Sequence, residues 1–230
     1  AVAVVKAGVF SVLKVCTYIF GFDTLSQLPT TDFLLYLAGA SVIIASLVAM
    51  KQDNLKARLA YSTVSQLSYI TVGALLATSA GALGGAMHIG MHAFGKITLF
   101  FCAGAIMVAS HKTEISDMHG LGRRMPITMT AFFIGSLSII GLPPCGGTWS
   151  KWYLMIGTIE ADKLILMMVL MASSLLNIAY LMPVVVRGFF SSPGDRTERP
   201  AIHEAPLFCL VPICITAAST RPPTKPATAP

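Results

Sequence analysis

Leu59-AYSTVSQLSYITVGALLATSAGALGGAMHIGMHAF-Gly95 runs without a single aspartate, glutamate, lysine or arginine. About 18 such residues already suffice to cross a bilayer as a helix, so this stretch is long enough for two. Thr78-Ser-Ala-Gly-Ala-Leu-Gly-Gly85 supplies the small, turn-compatible residues at which it divides. Working outward, Phe33–Met50, Met125–Ser150 and Leu164–Val186 are equally free of charge. The pattern predicts membrane spans near 1–22, 33–50, 59–78, 83–109, 127–158 (interrupted), 164–186 and 205–218. A β-barrel would need segments of roughly ten residues alternating apolar and polar, and these runs are continuous instead. The fold class is therefore all-α, a polytopic transmembrane bundle of about six or seven helices with one broken helix.

Composition excludes a soluble domain. The hydrophobic share is 55%, the charged share 11% and the mean hydropathy +0.74, whereas a water-facing surface brings charged residues to about 25%. The segments after spans two, four and six carry Lys51, Lys56, Arg58, Lys112, Arg123, Arg124, Arg187, Arg196 and Arg199, while those after one, three and five carry Lys163 alone. The positive excess puts the even-numbered loops in the cytoplasm. The net charge of +6 follows from this topology and from four lysines inside spans, and no basic run calls for nucleic acid. The organisation read from the chain is a transmembrane module over 1–190, a cytoplasmic loop over 191–204, a short apolar segment over 205–218 containing Pro206 and Pro212, and a Pro/Thr-rich tail over 219–230 expected to be disordered. Ala1 opens directly into an apolar helix with no basic leader, as the middle of a longer protein would. Cys16, Cys102, Cys145, Cys209 and Cys214 all fall in predicted spans without metal-finger spacing and read as small buried hydrophobes.

All ten acidic residues lie outside the spans or at their edges, yet Lys6, Lys14, Lys96 and Lys151 lie within. Each central lysine costs about 2.5–3.5 kcal/mol unless it reaches the interface or finds a partner. Burial disfavours the charged form of an amine, so such a lysine is a candidate for taking up and releasing a proton. Lys6 is close enough to the start of its span to snorkel. Lys14 points about 80° away from it, toward a neighbouring helix as a structural counter-charge. Lys96 is mid-span. It closes His88-x3-His92-x3-Lys96, whose members stack on one helix face with steps of about 6 Å. Imidazole both donates and accepts, so the ladder is a candidate proton path with waters bridging each step, against the alternative of an inert polar seam. A metal site lacks a third ligand, and a b-type haem needs axial ligands on opposite sides. Gly141-Leu-Pro-Pro-Cys-Gly-Gly147, followed by Thr-Trp-Ser-Lys151, breaks the fifth span. Open backbone at membrane depth is tolerated where protein or water covers it, and transporters place ion sites at such breaks. The alternative is a loop at the membrane surface. Tyr61-Ser-Thr-Val-Ser-Gln-Leu-Ser-Tyr69 makes the third span polar, as helix glue or as the lining of a water wire.

Four stretches together carry a family resemblance: Val5-Lys-Ala-Gly-Val-Phe10; Asp53-Asn-Leu-Lys-Ala-Arg58 continuing to Tyr69; His88-x3-His-Ala-Phe-Gly-Lys96; and Gly141-Leu-Pro-Pro-x3-Thr-Trp-Ser-Lys151. The chain resembles the proton-conducting antiporter-like membrane subunits. These are the large subunits of Mrp-type sodium/proton antiporters, especially those of the D type, and the homologous L, M and N subunits of respiratory complex I. The resemblance implies the carboxyl-terminal half of a fourteen-helix protein, covering the second of two inverted repeats. It implies Lys6 as a bridging lysine, His88, His92 and Lys96 as a central relay, and Lys151 as a terminal proton site. The M subunits have glutamate at that last position, and Lys151 matches the L subunits and the antiporters. A location in the cell's inner (plasma) membrane follows, with other integral membrane subunits as partners and protons and sodium as cargo. Two functions compete: proton/monovalent cation translocation in a multi-subunit antiporter, and proton pumping in the membrane arm of an NADH:quinone oxidoreductase. No dinucleotide fingerprint, iron–sulfur motif or haem pair is present, so no cofactor or redox chemistry of its own is expected. A non-conducting scaffold is the third possibility.

Overall fold

The computed structural model describes residues 4–143, 145–190 and 204–220. The expected loop at 191–203 and the tail beyond residue 220 lie outside these. Three segments make the first rod: α1 (Val4–Lys14), a π-helical stretch (Val15–Phe20) and α2 (Gly21–Gln27). Then follow α3 (Pro29–Lys51), α4 (Leu55–Leu75), α5 (Ser79–Ser110), a short α6 (Leu121–Arg124), α7 (Pro126–Ile140), α8 (Gly147–Glu160), α9 (Leu164–Phe190) and α10 (Leu207–Ser219). No strand occurs among the described residues beyond an isolated bridge between Asn54 and Glu114. The rod Val4–Gln27 and helices α3, α5 and α9 are long and apolar enough to cross a membrane. With the polar α4 and the broken pair α7–α8, they make a multi-span membrane bundle.

Local chemistry sets the helix ends. Pro29 and Pro126 sit in first turns, where a missing N–H costs nothing. Asn54 and Thr78 cap α4 and α5 by accepting from Ala57 N and Gly81 N. The observed α3 outruns the predicted 33–50 at both ends because Asp32 and Lys51, excluded as charges, sit in its first and last turns.

The predicted interruption at 127–158 is the gap between α7 and α8. Gly141 ends α7 with φ +86°, which favours glycine. Gly147 starts α8 so tightly against α7 that a Cβ there would lie 1.9 Å from Ser138 O. Leu142 and Pro143 are exposed, while Cys145, Gly146 and Gly147 are buried, so the half of the break that leads into α8 is covered by protein. Helix α10 packs chiefly against α5 and also against α7. Glu204, just before α10, accepts from Ile127 N (2.6 Å) and Thr128 Oγ1 (2.9 Å) at the start of α7. At the other end Gly146 N donates to Thr220 O (2.9 Å). The last apolar segment is thus seated on α5 and tied at both ends to α7 and the turn that follows it, which explains how so short a helix is accommodated.

Candidate functional site

Helices α4, α5, α8 and α9 enclose a polar interior. His88, His92 and Lys96 point into it from one face of α5, with exposures of 2%, 1% and 0%. The imidazoles of His88 and His92 stack, their ring centres 5.7 Å apart. The hydrogen bonds leave α5 at each end of this ladder. Lys96 Nζ donates to Ser62 Oγ (2.8 Å) and to Leu59 O (3.0 Å) on α4. Ser62 Oγ bonds Tyr180 OH (2.7 Å) on α9, and that hydroxyl donates to Asn177 Oδ1. Gln66 Nε2 donates to the same oxygen (3.4 Å), while Gln66 Oε1 faces His88 Nε2 (3.1 Å). On its other side His88 Nδ1 meets Ser150 Oγ (2.9 Å), which is also 3.0 Å from Gly147 O. A continuous string therefore runs from Lys96 to the turn bearing Lys151, through side chains of several helices.

The chemistry at Ser150 is reversible. With no proton on His88 Nδ1, the hydroxyl donates to the ring; with a proton there, the hydroxyl accepts it and turns its own hydrogen to Gly147 O. Lys151 occupies the break itself. Its Nζ donates to Ile139 O and Ile140 O (2.9 Å each) at the carboxyl end of α7 and to Ser174 Oγ (3.2 Å) on α9. A cation at a helix C-terminus meets the negative end of the peptide dipoles. Its ammonium also lies 5.2 Å from the centre of the Tyr69 ring, which stacks on His88 at 5.5 Å.

The fold brings His88, His92, Lys96 and Lys151 into one interior, and the direct side-chain hydrogen bonds leave the ladder at its two ends. Both nitrogens of His92 lack a partner among the described residues, and the route around it uses α4 and α9. Lys6 does not snorkel. It is 6% exposed, and its Nζ is buried without a partner among the described residues. Helix α1 packs that face against α4 and α5, which turns it inward. Ser150, Ser174, Asn177 and Tyr180 do not stand out in the sequence. Three of them share a signal, Ser174-x2-Asn177-x2-Tyr180, polar groups at helical spacing in a span that otherwise reads as lipid-facing, and Ser150 has none beyond its place beside Lys151. No carboxylate joins them: the ion pair found among the described residues is Lys163–Asp32, outside this interior.

Residues 1–177 match the family model described as "NADH:quinone oxidoreductase/Mrp antiporter, TM". The chain belongs to this membrane family. It is 37% identical over 197 residues to the N subunit of the NADH-quinone oxidoreductase of Desulforudis audaxviator, covering 81% of this chain and 39% of that protein. It is 29% identical to the D-type subunit of the Na(+)/H(+) antiporter of Alkalihalophilus pseudofirmus, covering 84% of this chain and 39% of that one. The chain thus spans about two fifths of the length of these relatives. Among solved structures, a chain of the Mrp complex from Dietzia sp. shares the fold, with a TM-score of 0.81 at 21% identity, covering 94% of this chain and 47% of that chain. The family match ends within α9 and leaves α10 outside it.

Proposed function

We propose that the chain carries protons through the interior described above, as part of a subunit of a multi-subunit cation/proton antiporter in the plasma (inner) membrane. Lys6, His88, His92, Lys96 and Lys151 are the ionisable stations; the hydroxyls of Ser62, Tyr180 and Ser150 can accept one proton and release another, while the amides of Asn177 and Gln66 hold Tyr180 and His88 in place. The observation that carries this reading is the unbroken string from Lys96 to the helix break, set in an otherwise apolar bundle. Polar groups strung through a membrane bundle are costly to retain, which supports a pathway. Its cargo is protons, exchanged for a monovalent cation, and its partners are the assembly's other membrane subunits.

A second reading has the same proton path serving the membrane arm of an NADH:quinone oxidoreductase, and the 37% identity to an N subunit of such an enzyme favours it. Both readings predict the same first result. In full-length protein within its native assembly, Lys96→Ala or Lys151→Ala lowers proton-coupled transport in vesicles by on the order of 100-fold, the scale of losing a proton-transfer group. Unchanged transport with either variant overturns the path. Sodium-driven against NADH-driven acidification of the same vesicles separates the two assemblies.

A further inference from the structure

We propose that Arg58 is a positioning residue for the proton string, a role that rests on the proton path proposed above. It holds the turn of α9 that presents the Tyr180 hydroxyl to Ser62 and, through Ser62, to Lys96. By charge pattern Arg58 belongs with the cytoplasmic cations, yet it lies in the first turn of α4 and is only 9% exposed. Its guanidinium donates to three backbone carbonyls outside α4: from Nε to Gln52 O (2.8 Å), from Nη2 to Met50 O (3.5 Å) and from Nη1 to Tyr180 O (2.9 Å). The first two lie at the carboxyl end of α3, where the peptide dipoles present negative charge. No carboxylate forms an ion pair with it among the described residues, and Asp53, five residues earlier, accepts from the backbone N–H and the hydroxyl of Ser116.

Tyr180 meets α4 twice. Its carbonyl accepts from Arg58 and its hydroxyl bonds Ser62 (2.7 Å), and those two residues stand one turn apart on the same face of α4. Leu59, next to Arg58, gives its carbonyl to Lys96 Nζ (3.0 Å), which also donates to Ser62 Oγ (2.8 Å). A shift of the Tyr180 turn is therefore felt at the lysine's own acceptor. That turn needs outside support. Pro183 sits inside α9, lacks the N–H that would pair with Ala179 O and crowds that carbonyl, which loosens the helix around Tyr180. A guanidinium suits the task. Its planar fork spans several carbonyls at once, and it keeps its proton at any working pH, so it ties the helices together without competing for the proton in transit.

The test uses the full-length protein in its native assembly, with proton-coupled transport in vesicles expressed per assembled protein. Arg58→Lys keeps the charge and loses the fork, and should lower that rate by roughly tenfold, the scale of a hydroxyl moved out of line. Tyr180→Phe removes the hydroxyl and should do at least as much. The two together should be no slower than Tyr180→Phe alone, because the arginine acts through the group already removed. The solvent deuterium isotope effect on transport should rise in Arg58→Lys. A residue that only braced the fold would leave both the isotope effect and the rate per assembled protein unmoved. An unchanged rate in Arg58→Lys, or losses that multiply in the double variant, overturns the proposal. If Arg58→Lys does not assemble, Arg58→Gln, which keeps a neutral donor, takes its place in the same comparison; failure of both to assemble reduces Arg58 to a brace and also overturns it. Lys96→Ala, run alongside, separates the two layers. Full transport with that variant refutes the proton path itself, whereas its loss together with an unaffected Arg58→Lys refutes only the part given to the arginine.

Discussion

The interior between α4, α5 and α9 and the outer face of α1 hold the same group, an alkylammonium in a membrane, under opposite conditions. Inside, Lys96 and Lys151 are satisfied by backbone carbonyls and hydroxyls from neighbouring helices. On the outer face, Lys14 has two aromatic rings of its own rod. Carbonyls and hydroxyls stabilise a cation without pinning it, because they carry no opposing charge that would be stranded if the proton left. A fixed carboxylate, by contrast, makes charge loss on one partner costly for the other. On the proposed path the interior acceptors suit a proton that leaves and returns, whereas Lys14 meets no such acceptor among the described residues.

The largest expected effect breaks the interior at its tightest point. Gly147→Ala places a methyl group 1.9 Å from a backbone oxygen that no side-chain rotation can clear. It should destabilise the protein by about 3 kcal/mol, read as a lower midpoint of thermal unfolding in detergent. An unshifted midpoint would mean that the break is looser than described. The corresponding substitution at Gly8, where a Cβ meets nothing, should leave the midpoint in place and so sharpen the contrast.

A smaller effect probes the string itself. Asn177→Leu removes the acceptor shared by Tyr180 OH and Gln66 Nε2. Stranding two donors inside a membrane bundle costs about 1–2 kcal/mol. Transport should fall with it. Normal transport at reduced stability would show that protons bypass Asn177.

The smallest effect lies outside both regions. Asp32, which is exposed, accepts a hydrogen bond (2.8 Å) from the partly buried Lys163, and this raises the amine above its ordinary value. A raised amine contributes its full stabilisation below its ordinary range and loses it as pH climbs through the raised value. Asp32→Asn should therefore cost no more than about 0.5 kcal/mol, evenly across neutral pH, with the difference vanishing only in strong alkali. A change in unfolding midpoint that appeared only above neutral pH would contradict this.

Sequence legibility followed the same division. Charge-free runs such as Leu59–Gly95 revealed the bundle because lipid excludes charge wherever a span runs, and the Gly/Pro cluster at 141–147 revealed the break because those residues cannot continue a helix. Helical spacing put His88, His92 and Lys96 on one face. It could not say which helix lies opposite that face, so Ser62, Gln66, Asn177 and Tyr180 stayed hidden as partners. Depth alone left Lys6 ambiguous, since a lysine five residues into a span can reach outward or turn in. The packing of α1 against α4 and α5 decided it. The half-length α10 was visible only as a segment too short to cross, because its fit depends on Glu204 and Thr220 meeting the start of α7 and the turn that follows its end.

Lys151 has three acceptors for the three hydrogens of an ammonium: two carbonyls and one hydroxyl. Take one hydrogen away and the free amine still serves Ile139 O and Ile140 O, while its new lone pair receives the O–H of Ser174, which simply swings round. The number of bonds at the nitrogen is the same before and after. A nest that fits both forms without rearranging its helices lets the barrier to exchange fall on the arriving proton, not on the protein.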